Sequence, residues 1–475
     1  MSFVVYDVET TGLIKGFDQI VQFAAVRTDD ELKALEQVRF RCRLMPHVIP
    51  SPKAMHVMGL GIDELTDPSL PSHYEMVMQI RRVLESWCPA LFLGFNSLSF
   101  DEEFLRQAFY QCLYGPYLTN TQGSARADVL NLCRVTADLR PDVLKAAADD
   151  AGRLVFKLKP LAEANGMTIA ASHEAMADVA TTLALCRHVK TAAPEVWSQF
   201  LRFSQKASVE AFITGEDAFL VSETVGNQHR TRVVTRIGRH TEQAIRHYCL
   251  DLGADISALR AMTDGELVAA CKEEYGRPVV TVRTNAAPTL WALYDATPKH
   301  LAPFDEAEIL DAAARVRDDK ELVRRLCRAA QAAEPVYPPS PHVEEQLYGR
   351  GFPPPQDEAL RQRFHAVSWE ERPALARQFD DDRYRCLAHR LIFFDRPDLL
   401  ADDYRRNAEG ELRKRLSTPL DAQPRWRSIL AVRQEMDTLT AGGLDDDALA
   451  RQRRYAAYLD RRQQALHGYA LNAGS

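Results

Sequence analysis

The first apolar segment of the chain is short and leads directly into two acids. Residues 3–6 are apolar, β-branched and aromatic, and this pattern predicts a buried strand that ends before Gly12. Asp7 and Glu9 lie two positions apart at the end of that segment. Because successive side chains of a strand alternate between its two faces, both carboxylates are predicted to project to the same side.

Further alternating and periodic segments predict an α/β domain built on this strand. Residues 19–27 and 35–44 predict two more strands, which with the first form an antiparallel meander. Residues 74–87 place apolar side chains at helical spacing, and residues 90–94 predict a fourth strand. Asp101 follows this strand and stands at the start of another predicted helix.

The next part of the chain adds helices and two more candidate functional side chains. Residues 126–132 and 141–148 are predicted to be helical. His173 lies at the start of a predicted helix whose apolar residues at helical spacing can pack on the sheet, and Asp178 lies within that helix. His173 lies at or before the first turn and Asp178 more than a turn inside, a spacing that lets both approach one cleft.

The hydrophobic pattern divides the chain into three parts. Residues 218–285 are rich in β-branched runs and predict a smaller β-rich domain with inserted helices. The proline cluster at 337–341 marks a boundary, beyond which helical periodicity replaces strands. We therefore predict domains at residues 1–190, 191–340 and 341–475, the last of them all-α.

Composition changes this picture little. The chain has 475 residues, of which 46% are hydrophobic and 26% charged, as expected for a globular protein with several domains. No apolar run approaches the roughly 20 residues that span a bilayer, so we predict a cytoplasmic protein without a membrane partner. Nine cysteines occur without a C-x-x-C pair, which argues against a disulfide framework and structural zinc.

The net charge of −7 does not indicate a protein that binds nucleic acid, but it does not exclude one. A groove can be locally positive in an acidic protein, and carboxylates gathered around metal ions contribute to the acidity. Several arginines of the β-rich part, among them Arg230, Arg232 and Arg236, are spaced along strands so that they could follow a phosphate backbone. The alternative is that they are solvated strand faces.

Five side chains together predict a phosphodiester-cleaving site. Like charges crowded at a sheet edge are unfavourable unless a cation holds them, and Mg²⁺ prefers oxygen ligands. Two Mg²⁺ ions about 4 Å apart can activate water and stabilise a leaving oxygen, and histidine can accept the proton. Singly, a D-x-E pair can be a solvated strand end and Asp101 a helix N-cap. The five residues are Asp7, Glu9, Asp101, His173 and Asp178.

The order of these residues resembles the DEDD superfamily of 3′→5′ exonucleases in its histidine-containing branch. The resemblance rests on D-x-E near the N-terminus, N-x4-D at Asn96 and Asp101, and a late H-x4-D. It implies that Asp7, Glu9, Asp101 and Asp178 are metal ligands and His173 the general base. It covers roughly residues 1–190.

Motifs along the rest of the chain resemble the bacterial exodeoxyribonuclease I family. They include residues 156–158, 173–178, 251–256 and 345–348. The resemblance implies an α/β ribonuclease H-like exonuclease domain, an SH3-like β domain and a helical C-terminal domain. It implies a Mg²⁺-dependent monomer, with Mn²⁺ as a substitute, that degrades single-stranded DNA processively from the 3′ end to 5′-mononucleotides. It also implies recruitment by the C-terminal tail of the single-strand DNA-binding protein.

The same resemblance places further residues near the DNA. Cations would hold phosphates and aromatic rings would stack on unpaired bases, although each side chain could instead be a surface or core residue. Arg140 could also lie near the docking site for the binding-protein tail. The residues are Glu9, Arg106, Tyr117, Arg134, Arg140, Phe156, Lys157 and Lys206.

Two departures from the family pattern leave alternatives open. Thr11 stands where the family usually has an aromatic residue, and Lys157 where it has an arginine, so the bidentate fork is lost. A 3′→5′ exoribonuclease or a proofreading exonuclease would share the chemistry. A DNA-binding scaffold without catalysis is the third alternative, although every acidic position is present.

Overall fold

The computed structural model describes residues 2–150, 152–167, 174–225 and 228–471, with side chains as far as residue 466. Within these described residues, seven strands and seven α-helices precede residue 193. The strands are β1 (Phe3–Thr10), β2 (Ile20–Thr28), β3 (Ala34–Arg41), β4 (Leu91–Gly94), β5 (Ala125–Asp128), β6 (Ala147–Ala148) and β7 (Leu154–Val155). The helices are α1 (Pro52–Met58), α2 (Ile62–Leu65), α3 (His73–Trp87), α4 (Asp101–Gln111), α5 (Val129–Leu139), α6 (Leu158–Ala164) and α7 (Ala175–Ala192).

The first sheet places β1 at its centre. Its strand order is β3-β2-β1-β4-β5, with β1 antiparallel to β2 and parallel to β4. The pairing of β1 with β2 continues as far as Glu9 opposite Gln22, and the register shifts between Glu9 and Thr10. Both acids of the D-x-E pair therefore lie on a strand with neighbours on both sides, which fixes their backbone.

The two faces of β1 build two separate cores. Phe3 and Val5 pack with Val179 and other residues of α7 on one face. Val4 and Tyr6 pack with apolar residues of α3 and α4 on the other. Because side chains alternate along the strand, Asp7 continues the face covered by α7, the helix that carries Asp178.

The middle part of the chain is a second sheet wrapped by helices. Its strand order is β11-β10-β9-β8-β12, with every pairing antiparallel. The strands are β8 (Phe219–Val225), β9 (Gln228–Arg239), β10 (Arg246–Asp251), β11 (Val279–Arg283) and β12 (Thr289–Ala292). The helices are α8 (Pro194–Phe203), α9 (Lys206–Gly215), α10 (Ile256–Ala261), α11 (Asp264–Lys272), α12 (Pro298–Leu301), α13 (Glu306–Asp318) and α14 (Lys320–Ala333).

Every secondary-structure element described in the last part of the chain is a helix. Its helices are α15 (Pro355–Ala366), α16 (Arg372–Ala376), α17 (Asp382–Asp395), α18 (Asp402–Leu416), α19 (Ile429–Ala441) and α20 (Asp446–Leu471). None of the helices in the part that the structure describes is long and apolar enough to cross a bilayer.

The helical part packs back onto the first domain. Arg427 forms a salt bridge of 2.7 Å with Asp18, which is itself bonded to the Thr11 hydroxyl and the Ile14 amide. The loop that follows β1 is thus braced by a residue near the end of the chain. The segment between α14 and α15 also crosses the first domain, where the carbonyl of Val343 accepts a hydrogen bond from Tyr110.

Two local predictions were wrong. The segment predicted as a helix at residues 126–132 begins as β5, which pairs with β4, and the helix starts only after Asp128. Residues 141–148 form turns and then β6, which pairs with β7. Asn165 holds this segment by bonding both the amide and the carbonyl of Lys145, a long-range contact that helical periodicity cannot reveal.

The predicted domain boundaries stay predictions. Helix α7 runs to Ala192, so the boundary at residue 190 falls in its last turn.

Candidate active site

Three carboxylates meet at the end of β1. Asp7 and Glu9 come from the strand, and Asp178 comes from the first turn of α7. One carboxylate oxygen from each lies within 4.8 Å of the others, and all three side chains are half-buried. The site therefore joins residues 171 positions apart through the packing of α7 on the sheet.

Asp101 stands beside this cluster and is tied to the same strand. It is the first residue of α4, with Phe100 at the N-cap, so it is not itself the N-cap. Its Oδ1 accepts a hydrogen bond of 2.9 Å from the amide of Val8, the residue between Asp7 and Glu9. Asp101 is not among the three acids whose oxygens lie within 4.8 Å of one another.

The loop before Asp101 is fixed by another buried acid. Asp128 accepts hydrogen bonds from the amides of Asn96 and Leu98, and it also caps α5 through the amide of Leu130. Asn96 has a φ of 62°, the left-handed region in which asparagine is tolerated. Asp128 therefore sets the turn that delivers Asp101 to the end of β1.

The clustered acids hold their protons more tightly than ordinary carboxylates. Burial, with the charge of Asp178, raises the pKa of Glu9 to about 7. Burial raises the pKa of Asp101 to about 8, although the hydrogen bond from Val8 acts against the shift. Burial and the charges of Asp101, Glu9 and Asp178 also raise the pKa of Asp7 well above its usual range. The group is a concentration of negative charge, which the nearby Lys159 offsets only in part.

A divalent cation fits this donor set. Three convergent carboxylates supply the hard oxygen ligands that Mg²⁺ and Mn²⁺ prefer, and one cation would relieve their repulsion. The acidic cluster therefore has the donor atoms that a divalent-metal site requires.

His173, the predicted general base, lies outside the described residues. The described chain resumes at Glu174, directly before α7.

Among the predicted DNA contacts, Arg106 is the most enclosed. It is 9% exposed, and it forms salt bridges with Glu102 and Glu103. Its guanidinium lies 5.1 Å from the ring centroid of Tyr117, which is half-buried. Contact with a DNA strand stays a prediction for both residues.

The other predicted contacts are more open. Arg134 lies over the ring of Phe156 at 6.0 Å from its centroid, so the two form one partly buried pair. Lys157 and Lys206 are exposed, and no salt bridge engages either one within the described chain. Arg140 pairs with Asp142 and Glu195 on the surface. The roles of these five residues also stay predictions.

Sequence reasoning missed Glu102 and Asp128. Both are buried, and both hold the elements that carry the acids. Glu102 follows Asp101 directly, but an acid in the first turn of a helix is so common that its position carried no signal. Burial opposes its charge, yet Arg106 and Arg126 hold the pKa of Glu102 below its usual range.

Comparison with known families agrees with the geometry. The sequence model of the exonuclease family RNase_T matches residues 4–186, the part that contains all four acids. The five-stranded sheet and its acidic cluster thus define an exonuclease, a hydrolase of phosphodiester bonds.

Proteins that are similar to this chain over most of its length identify the kind of exonuclease. The exodeoxyribonuclease I of Haemophilus influenzae is 30% identical over 374 residues, which cover 74% of this chain and 77% of that one. The exodeoxyribonuclease I of Escherichia coli is 27% identical over 402 residues, covering 80% and 83% of the two chains. The chain belongs to the exodeoxyribonuclease I family and is a DNA exonuclease.

Solved structures share the whole architecture. E. coli exonuclease I in complex with a dA16 oligonucleotide superposes with a TM-score of 0.84 at 25% identity, covering 97% of this chain and 99% of that chain. A structure of SSB/exonuclease I in complex with an inhibitor gives a TM-score of 0.83 at 25% identity with the same coverage. The predicted fold class is confirmed: a ribonuclease H-like α/β exonuclease domain, an SH3-like β domain and an all-α C-terminal domain.

Proposed function

We propose that the protein is a divalent-metal-dependent exodeoxyribonuclease that hydrolyses single-stranded DNA processively from the 3′ end to 5′-mononucleotides, in DNA repair and recombination. The observation that carries the proposal is the convergence of Asp7, Glu9 and Asp178 within 4.8 Å. The length of the match to exodeoxyribonuclease I supports the DNA substrate.

The chain's own residues have distinct roles in this proposal. Asp7, Glu9, Asp101 and Asp178 would hold two Mg²⁺ ions, or Mn²⁺ ions in their place. When bound, the metal lowers the pKa of water and neutralises charge that develops on phosphate oxygens. His173 accepts the proton of the attacking water, and for this its imidazole must be neutral. Glu9, at the open end of β1, also contacts the terminal nucleotide.

Cations and aromatic rings around the acids bind the strand without reading its sequence. Lys157 and Lys206 offer exposed charges for phosphates, and the pair of Arg134 and Phe156 offers a ring for stacking. Arg106 and Tyr117 extend the path along α4. Complexes of E. coli exonuclease I with an oligonucleotide support such a path. Closure of the second and third domains around the strand would then provide processivity.

A partner surface involves Arg140. The structure of SSB/exonuclease I supports an interaction with the single-strand DNA-binding protein, whose acidic tail we propose docks here. Arg140 already engages Asp142 and Glu195, so an incoming carboxylate must compete with two exposed acids. We further propose that the protein is a monomer and works in the cytoplasm, where its DNA substrate lies.

The first experiment is a digest of 5′-labelled single-stranded DNA in Mg²⁺. The intact protein is expected to give a ladder that shortens from the 3′ end. Asp178→Asn, which removes one charge of the cluster, is expected to abolish the ladder, whereas Asp447→Asn, an exposed acid of α20, is expected to leave it intact.

The same assay separates the competing functions. Faster digestion of a matching RNA would replace DNA by RNA as the substrate. Binding without any cleavage by the intact protein would contradict the exonuclease assignment and favour a scaffold.

A further inference from the structure

Glu102 is the most heavily bonded carboxylate beside the active site. Its side chain is fully buried. Oε1 accepts hydrogen bonds from the guanidinium of Arg106 (2.8 Å), the hydroxyl of Thr119 (2.6 Å) and the guanidinium of Arg126 (2.9 Å). Oε2 accepts one from the hydroxyl of Tyr6 at 2.9 Å. A buried charge with four donors is held in one position.

These bonds join the two elements that carry three of the four acids. Tyr6 precedes Asp7 on β1, and Glu102 follows Asp101 on α4. The bond from Tyr6 to Glu102 and the bond from the Val8 amide to Asp101 therefore connect the same strand to the same helix turn, through residues that are two apart on the strand and adjacent on the helix. If Glu102 loses its partners, the first turn of α4 can move relative to β1, and Asp101 moves with it.

The arginines of this network reach beyond the first domain. Arg126 also bonds the carbonyl of Asn285, in the second domain, at 3.4 Å. Arg106 bonds the hydroxyl of Tyr348, in the segment that leads to the helical domain, at 3.3 Å. Glu102 is thus adjacent in sequence to Asp101. Through Arg126 it is linked to the second part of the chain, and through Arg106 to the third.

We propose that Glu102 is a positioning residue that holds Asp101 against β1, so that the four acids share one metal site. Through Arg126 and Arg106 it also anchors this site to the second domain and to the segment between α14 and α15. The proposal rests on the proposed metal-dependent function. Glu102 touches neither substrate nor metal, and it acts through Asp101 and through the strand that carries Asp7 and Glu9.

The chain offers a matched control in Glu344. Its side chain is 6% exposed, and it also bridges two arginines, Arg390 at 2.6 Å and Arg415 at 2.7 Å. Glu344→Gln therefore removes an equally buried, doubly paired charge that has no bond to β1 or to the first turn of α4. Both variants are expected to lose thermal stability, but only Glu102→Gln is expected to change the metal site.

The measurements are Mn²⁺ affinity by isothermal titration calorimetry and the separate values of kcat and KM on single-stranded DNA. Glu102→Gln is expected to bind Mn²⁺ about 10-fold or more weakly and to lose kcat by a similar factor, because residues that orient metal ligands typically contribute that much. KM for DNA is expected to change by less than about two-fold, since the cations of the DNA path are retained. Glu344→Gln is expected to match the intact protein in both affinity and kcat.

Folded Glu102→Gln with the Mn²⁺ affinity and kcat of the intact protein would overturn the proposal. If that variant does not fold, Tyr6→Phe removes only the hydroxyl that reaches Glu102, and a smaller weakening of Mn²⁺ binding is expected; unchanged affinity would again overturn it. Failure of the intact protein to bind Mn²⁺ or to digest DNA would instead contradict the proposed function.

Discussion

Two groups of buried acids in this protein are built in opposite ways. At the end of β1, Asp7, Glu9 and Asp178 converge, and burial with the charge of Asp178 raises the pKa of Glu9 to about 7, although the charge of Lys159 acts against the shift. Between α14 and α15, Glu344 is more deeply buried, but Arg390 and Arg415 overcome the effect of burial and hold its pKa at about 2. The pairing of Glu344 with two arginines stabilises the fold. The crowded acids at the end of β1 instead lower the free energy of unfolding, and a bound cation would remove this loss.

The comparison predicts opposite effects for neutralising the two groups. Asp7→Asn is expected to reduce DNA cleavage by at least about 100-fold, because the proposed metal site would lose one of its carboxylates. The same variant is expected to raise the free energy of unfolding of the metal-free protein by about 1 kcal/mol, since it removes repulsion within the cluster. Cleavage assays and thermal unfolding in excess chelator measure the two effects. Normal cleavage by Asp7→Asn would show that the acids at the end of β1 are not needed for activity, and this part of the comparison would be wrong.

Glu344→Gln is expected to do the reverse. Its loss leaves two buried arginines poorly paired, which costs about 3 kcal/mol of unfolding free energy. Cleavage at a temperature where the variant is folded is expected to stay within about two-fold of the intact protein, because no acid of the site contacts Glu344. Denaturant unfolding and a DNA digest check the two parts. Glu411→Gln, an exposed acid of α18, serves as the control that loses little stability.

The two groups also predict opposite dependences on pH. Between about pH 4, where unfolded carboxylates titrate, and pH 8, the native cluster binds more protons than the unfolded chain. The metal-free protein is therefore expected to lose stability as pH rises through this range, by about 3 kcal/mol for the shift of Glu9 alone at about 1.4 kcal/mol per pKa unit. The contribution of Glu344 is present above pH 4 and is lost as pH falls towards 2.

Unfolding at several pH values, with chelator and with Mg²⁺, separates these contributions. Mg²⁺ is expected to protect more at pH 8 than at pH 5, since protons compete with it for the cluster. Asp7→Asn is expected to flatten the slope above pH 4. Equal protection by Mg²⁺ at both pH values would show that the ion does not bind the clustered acids.

The smallest effect concerns the exposed cation at Lys157. Lys157→Arg restores a fork that can hold a phosphate through two hydrogen bonds. KM for single-stranded DNA is expected to fall by about two- to three-fold with kcat unchanged, and the gain is expected to shrink at high salt. Lys414→Arg, an exposed lysine of α18, is the matched control. A change in kcat would place Lys157 in the chemistry rather than in binding.

Local patterns predicted the central strand and the class of the domain, because both depend on the order of residues along one element. Strand alternation placed Asp7 and Glu9 on one side, and their oxygens lie within 4.8 Å of each other. Glu102 gave no such signal, since its four donors come from β1, α4, the loop at Thr119 and β5. Residues 141–148 were mispredicted for the same reason, because Asn165 determines their path from a distance.

The salt bridge between Arg427 and Asp18 has a consequence for the order in which the molecule is made. The two residues are 409 positions apart, so the loop after β1 gains this salt bridge only after the chain as far as Arg427 has left the ribosome. A nascent chain that ends after α7 already carries the acids, but it lacks this salt bridge and the second and third parts of the chain. The newly made first domain therefore lacks a contact that the complete nuclease has, and the two are not equivalent.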